Sequence, residues 1–195
     1  MKHTFFTNTH KTQQGFTLIE TLIAILILAM TIGALLALTA GGFFSIRYAK
    51  NDIVASNLLQ ESLEYIRNTR DSEAQRSVTW EDWVRTYEAQ QCDSTDGCII
   101  NPYASDSGKR VVECSGECPN LTYFEDVGFY GYAQDDMFDP GTEGYETSFV
   151  RTITMERAGT SEYPQLIVNA RMQWLNGTNR KQVTQSIILT PWNLQ

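Results

Sequence analysis

Glu20 is an acid at the mouth of an apolar run, and that placement carries a chemical demand. From Leu22 to Phe44 the chain has no charged residue. A carboxylate beside such a run, if the run lies in a membrane, costs about 2–3 kcal/mol or more unless it meets a partner. Glu20 therefore calls for a counter-charge. Just before it, Gln14-Gly15-Phe16-Thr17-Leu18-Ile19 closes a short basic leader with a glycine and opens the apolar run. The leader holds Lys2 and Lys11 and no acid.

The elements that position this junction can be read from length and charge. The 23 residues from Leu22 to Phe44 are enough to cross a hydrocarbon core of about 30 Å as one helix. Lysines ahead of the run and none of the acids place Met1 to Gly15 in the cytoplasm by the positive-inside rule, with the rest outside. An ordinary secretory signal fits poorly. Its apolar stretch would be shorter, and its small-residue cleavage site would follow that stretch. Here the glycine precedes it.

Gly15, Phe16 and Thr17-Leu18-Ile19-Glu20 with the apolar helix behind them resemble the class III leader of type IV prepilins and pseudopilins. The resemblance covers about residues 11 to 45. It implies cleavage after Gly15 by a membrane-embedded prepilin peptidase and N-methylation of the new terminus, Phe16. It places Glu20 at the position where the family keeps its glutamate, facing the Phe16 amine of a neighbouring subunit. An opposite charge that close keeps both groups ionised. Breaking such a buried pair costs about 3–5 kcal/mol. The segment from Ala55 to Glu61 and the run Tyr65 to Asp71 are similar to the region after the anchor in minor pilins of the V type and in I-type pseudopilins. The other reading of the anchor is a single-pass span whose acid sits at the membrane interface.

Composition narrows the function classes. The chain has 15 basic and 23 acidic residues and a net charge of −8. Two of the basic ones lie in the leader, so the remainder is more acidic still. Nucleic acid is not expected as a ligand, because phosphate binding needs a basic patch. The histidines are His3 and His10, both in the leader. Once that is removed, Ser-His-Asp and Cys-His arrangements are out of reach, and an enzyme is not expected.

The four cysteines fall as Cys92-x5-Cys98 and Cys114-x3-Cys118, on the extracytoplasmic side. An even count there reads as two disulfides, with three connectivities open. Local pairs would staple two small loops; crossed pairs would tie the loops together. Zinc is the rival, but its usual pair spacing is two to four residues. No cofactor is called for by the motifs. Calcium is the candidate ion, at Asp135, Asp136 and Asp139 with Glu143 and Glu146 nearby, against a solvated turn. The aromatics Trp80, Trp83, Tyr123, Phe124, Phe129, Tyr130 and Tyr132 are candidates for an adhesive face, against core packing.

The rest of the chain supplies the frame. Beyond Gly41-Gly42, where a helix can bend, Ile46, Ile53, Val54, Leu58, Leu59, Leu63 and Ile66 recur at steps near three and four, as in an amphipathic helix. Thr79 suits the N-cap of a short helix carrying Trp80, Trp83, Val84 and Tyr87 on one face. From Ala89 to about Glu146 the pattern breaks down. Then Phe149, Ile153 and Met155 alternate, with Arg151 the odd residue on that face. Leu166 to Trp174 alternate, and Val183, Ile187 and Leu189 follow the hairpin signal Asn176-Gly177.

The expectation is an α+β fold: a long N-terminal helix packed on a C-terminal antiparallel sheet of three or more strands. The division is 1–15 leader, 16–44 transmembrane and filament-core helix, 45–72 amphipathic helix, 73–146 irregular cysteine-containing region, 147–195 sheet. The function expected is that of a minor pilin or pseudopilin in a type IV pilus or type II secretion-like filament. The expected partners are prepilin peptidase, other subunits, an inner-membrane assembly platform and, before assembly, lipid. The second reading is a membrane-anchored extracytoplasmic binding module that does not assemble.

Overall fold

A computed structural model describes residues 15–104, 106–132 and 144–192. The first helix, α1, runs Leu18–Gln75, and a second, α2, runs Trp80–Glu88. Seven strands follow among the described residues: β1 Cys98–Ile100, β2 Val111–Glu113, β3 Asn120–Phe124, β4 Phe129–Gly131, β5 Gly144–Gly159, β6 Pro164–Asn176 and β7 Asn179–Leu189. The architecture is α+β. The chain divides into two compact units, 1–47 and 48–195.

In the second unit β5 is the organiser. Along one edge it pairs antiparallel with β6 from Val150↔Gln173 to Gly159↔Pro164, and β6 pairs in turn with β7. Its other edge is shared. The N-terminal half takes β3, from Phe124↔Gly144 to Asn120↔Val150, and Cys98 of β1 sits opposite Ile153. A strand of 16 residues can serve two short partners in series because each uses only a few of its backbone groups. β2 and β4 extend those partners outward.

The alternation read in the sequence sets the two faces of this sheet. Phe149, Arg151, Ile153 and Met155 of β5, and Leu166, Val168, Ala170, Met172 and Trp174 of β6, are buried. They join Ala55, Leu58, Leu59, Leu63 and Ile66 of α1 in one core. Those helix positions recur at three and four, one stripe of a 3.6-residue period. Ile53 is 61% exposed, contrary to its place in the expected stripe. It lies about 200° round the helix from Ala55, and Ile46, 65% exposed and likewise named in the stripe, lies about 180° from it.

α2 takes the expected form. Thr79 caps it, its hydroxyl accepting from the Asp82 N–H at 3.1 Å, and Trp83, Val84 and Tyr87 are buried. The Tyr87 hydroxyl lies 2.8 Å from that of Thr69 on α1, and burial pushes its pKa up.

Two expectations about strands change. The stretch from Ala89 to Glu146, read as irregular, contains β1 to β4. Each has three to five residues, too few for an alternation to register against neighbouring turns. The hairpin between β6 and β7 turns on Gly177-Thr178, with Asn176 and Asn179 as the closing pair. Gly177 has φ +63°, the left-handed conformation that glycine adopts without steric cost.

Candidate functional site

The amino-terminal unit is built from backbone chemistry outward. Gly15, Phe16 and Thr17 precede the helix, which starts at Leu18. Thr17 closes its first turn: its carbonyl accepts from Glu20 N–H at 3.1 Å and Thr21 N–H at 3.3 Å, and its hydroxyl accepts from Glu20 N–H at 3.3 Å. This cap had the ordinary sequence signal, a threonine just before an apolar run. Glu20 thereby falls in the first turn, where the helix dipole favours a negative charge.

Beyond Glu20 the helix offers little that is polar. The hydroxyls of Thr21, Thr31 and Thr39 donate to the carbonyls of Leu18, Leu28 and Leu35 at 2.8–2.9 Å. Such back-bonding satisfies a hydroxyl without solvent. The large apolar side chains from Leu18 to Leu38 are exposed, most of them by half or more. Keeping each in water rather than burying it costs about 1.5–3 kcal/mol. α1 is long and apolar enough to cross a membrane. The Glu20 carboxylate has no ion-pair or hydrogen-bond partner among the described residues, and Phe16 is 81% exposed.

In the second unit the cysteines pair locally, Cys92 with Cys98 and Cys114 with Cys118. The two loops are stitched together as well. Cys114 N–H donates to Gly97 O at 3.0 Å, and Gly116 N–H donates to Asp96 Oδ2 at 3.3 Å. Met155 N–H donates to Cys92 O at 2.8 Å, tying the first loop to β5.

Arg151, the odd residue in the apolar alternation, proves to be a buried hub. Its Nη1 donates to Leu58 O at 2.9 Å and to Glu61 Oε2 at 3.1 Å, and its Nη2 donates to Ile100 O at 2.7 Å. Burial works against its charge, but Tyr132 and Glu61 beside it hold the pKa above the ordinary arginine value. A lone arginine in a hydrophobic period was the only sequence signal for this contact.

The calcium candidates Asp135, Asp136 and Asp139 lie outside the described residues, as does Glu143. Glu146 accepts from Asn120 Nδ2 at 2.6 Å. No group of three metal-ligating side chains occurs among the described residues. Of the aromatic candidates, Trp83, Phe124 and Tyr132 are buried. Tyr123 and Tyr130 are half-buried, with ring centroids 4.8 Å apart.

Comparison with protein families matches residues 10–36 to the prokaryotic N-terminal methylation motif. No curated protein and no solved structure matches the chain. The match spans the Gly15–Phe16 junction, Glu20 and the first half of the apolar run, and this amino terminus is similar to that of type IV prepilins and pseudopilins.

Proposed function

We propose that this chain is a minor pilin or pseudopilin, a structural subunit of a type IV pilus or a type II secretion-like filament. Prepilin peptidase cuts after Gly15 and the amine of Phe16 is methylated. The segment 16–44 stores the subunit in the membrane and then packs in the filament core. Residues 45–72 carry the helix into the head, and 73–195 form its outer part. Before assembly the N-terminus is cytoplasmic and the head extracytoplasmic.

The observation that carries this reading is the methylation motif at residues 10–36 on a helix whose apolar side chains are exposed. Such a helix needs lipid or neighbouring helices around it. Exchange between the two is energetically mild, because one apolar environment replaces another. Glu20 supplies the docking charge. The Phe16 amine of an adjacent subunit is its counter-ion, and other subunits and an inner-membrane platform are the partners.

Mass spectrometry of the protein from cells tests the reading. A chain beginning at N-methylated Phe16 is expected. An intact leader would instead support an anchored binding module that does not assemble.

A further inference from the structure

The two crosslinked loops converge on one groove. Thr95 and Asp96, from the loop closed by Cys92–Cys98, and Gly116 and Glu117, from the loop closed by Cys114–Cys118, form one wall. The floor is formed by Val150 and Thr152 of β5, and by Arg171, Gln173 and Leu175 of β6. The groove has a volume of about 670 Å³, within the ~300–1,000 Å³ of small-molecule sites. Short disulfide loops add only about 2 kcal/mol each through chain entropy. Their placement here fixes the shape of a wall, and a wall already fixed removes an ordering cost from binding.

The lining selects the ligand. Three carboxylates, Asp96, Glu117 and Glu146, face two guanidinium groups, Arg171 and Arg180. Most of that charge is engaged internally. Arg180 pairs with Glu117 at 3.5 Å, Glu146 holds Asn120 and Asp96 holds Gly116 N–H. A groove so nearly neutral does not attract polyanions. Several of the short hydroxyls and amides are engaged as well: Thr147 donates to Leu121 O, Ser148 accepts from Leu175 N–H, and Gln173 Nε2 spends one of its two hydrogens on Gln182 Oε1 at 3.4 Å. That leaves the second Gln173 hydrogen and Arg171, which is free of hydrogen-bond or ion-pair partners among the described residues. Beside them lies Leu175, 52% exposed. Interleaved donors and acceptors next to an apolar strip suit a molecule with hydroxyls on its edge and C–H groups on its face.

We propose that this groove binds an uncharged oligosaccharide, with Arg171 and Gln173 donating to ring hydroxyls and Leu175 lying against a sugar face. The full chain in detergent micelles can be titrated by calorimetry with chitotetraose, cellotetraose, maltotetraose and mannotetraose, and with sialyllactose and a tetraglutamate peptide as charged controls. At least one neutral tetrasaccharide should bind saturably below about 10 mM. Arg171→Ala should weaken that binding by about tenfold or more with the melting temperature unchanged, since the side chain is exposed. Reducing the disulfides under conditions that leave far-ultraviolet dichroism intact should also weaken it. Absence of saturable binding across the neutral panel overturns the proposal. So does binding that is equal in Arg171→Ala, or that is confined to sialyllactose or to the peptide.

Discussion

The Tyr103 hydroxyl donates to Oε1 of Glu61, the same carboxylate whose Oε2 accepts from Arg151. One side chain of α1 therefore serves a loop and a strand at once. The bond to Glu61, with burial behind it, pushes the Tyr103 hydroxyl up to about 12. The folded chain holds this proton more tightly than the unfolded chain, whose tyrosines titrate near about 10. The contribution is complete below that value and disappears as pH rises through about 12. Ultraviolet titration of tyrosinate should show a late component, shared with buried Tyr87, that Tyr103→Phe diminishes by one group. A titration curve unchanged in the variant would contradict the assignment.

Arg151→Ala leaves Glu61 without its cation and the carbonyls of Leu58 and Ile100 without their donor. The expected loss of stability is about 3–5 kcal/mol. Arg151→Met, which fills the space without a charge, should lose less, because well-packed apolar replacements of buried ions are often tolerated. Urea unfolding of the two variants, followed by dichroism, ranks them. The reverse order would show that packing rather than the hub dominates.

Acid should loosen α2 first. Arg157 of β5 grips Glu81 with two bonds of 2.8 and 2.9 Å and holds Glu88 through Nε and Nη2. Hydrogen bonding to Arg157 lowers both glutamate pKa values. Their contribution is present above the ordinary glutamate value of about 4.3 and is lost as pH falls through the lowered values. Hydrogen exchange across Trp80–Glu88 should quicken in that window. Arg157→Ala should produce the same quickening at neutral pH.

Gly97 sits with φ +70°, and a Cβ there would lie 2.5 Å from the Ile153 carbonyl oxygen. Gly97→Ala combines a left-handed backbone with a clash against backbone, and should cost about 2 kcal/mol or more. Gly116 has φ +86° with open space around it, so Gly116→Ala should cost only the conformational part. Comparing the melting temperatures of the two separates strain from collision.

Glu20→Ala removes the acid and leaves the helix start to Thr17. Membrane insertion and cleavage should persist while incorporation into filaments fails. Cell fractionation and purified filaments report each step, and normal incorporation of the variant would falsify the docking role.

What could be read without coordinates followed from repetition. The amphipathic stretch of α1, the Thr79 cap and the alternations of β5 and β6 each extend over enough residues for a period to show. Strands of three residues such as Val111–Glu113 exist because β1 offers them a partner, and a partner distant in sequence leaves no local mark. The cysteines announced crosslinks with three connectivities open, and the local pairs Cys92–Cys98 and Cys114–Cys118 show only in the folded chain. Arg151 was visible as an exception to a rule. Its partners, from α1 and β1, were not.

That exception has a mechanical consequence. A guanidinium is planar and rigid, and Arg151 is joined simultaneously to a helix carbonyl, a helix carboxylate and a strand carbonyl. Sliding residues 58–61 along the sheet cannot release these bonds one at a time. Under tension the interface should hold its geometry and then fail abruptly, brittle where an apolar seam alone would creep.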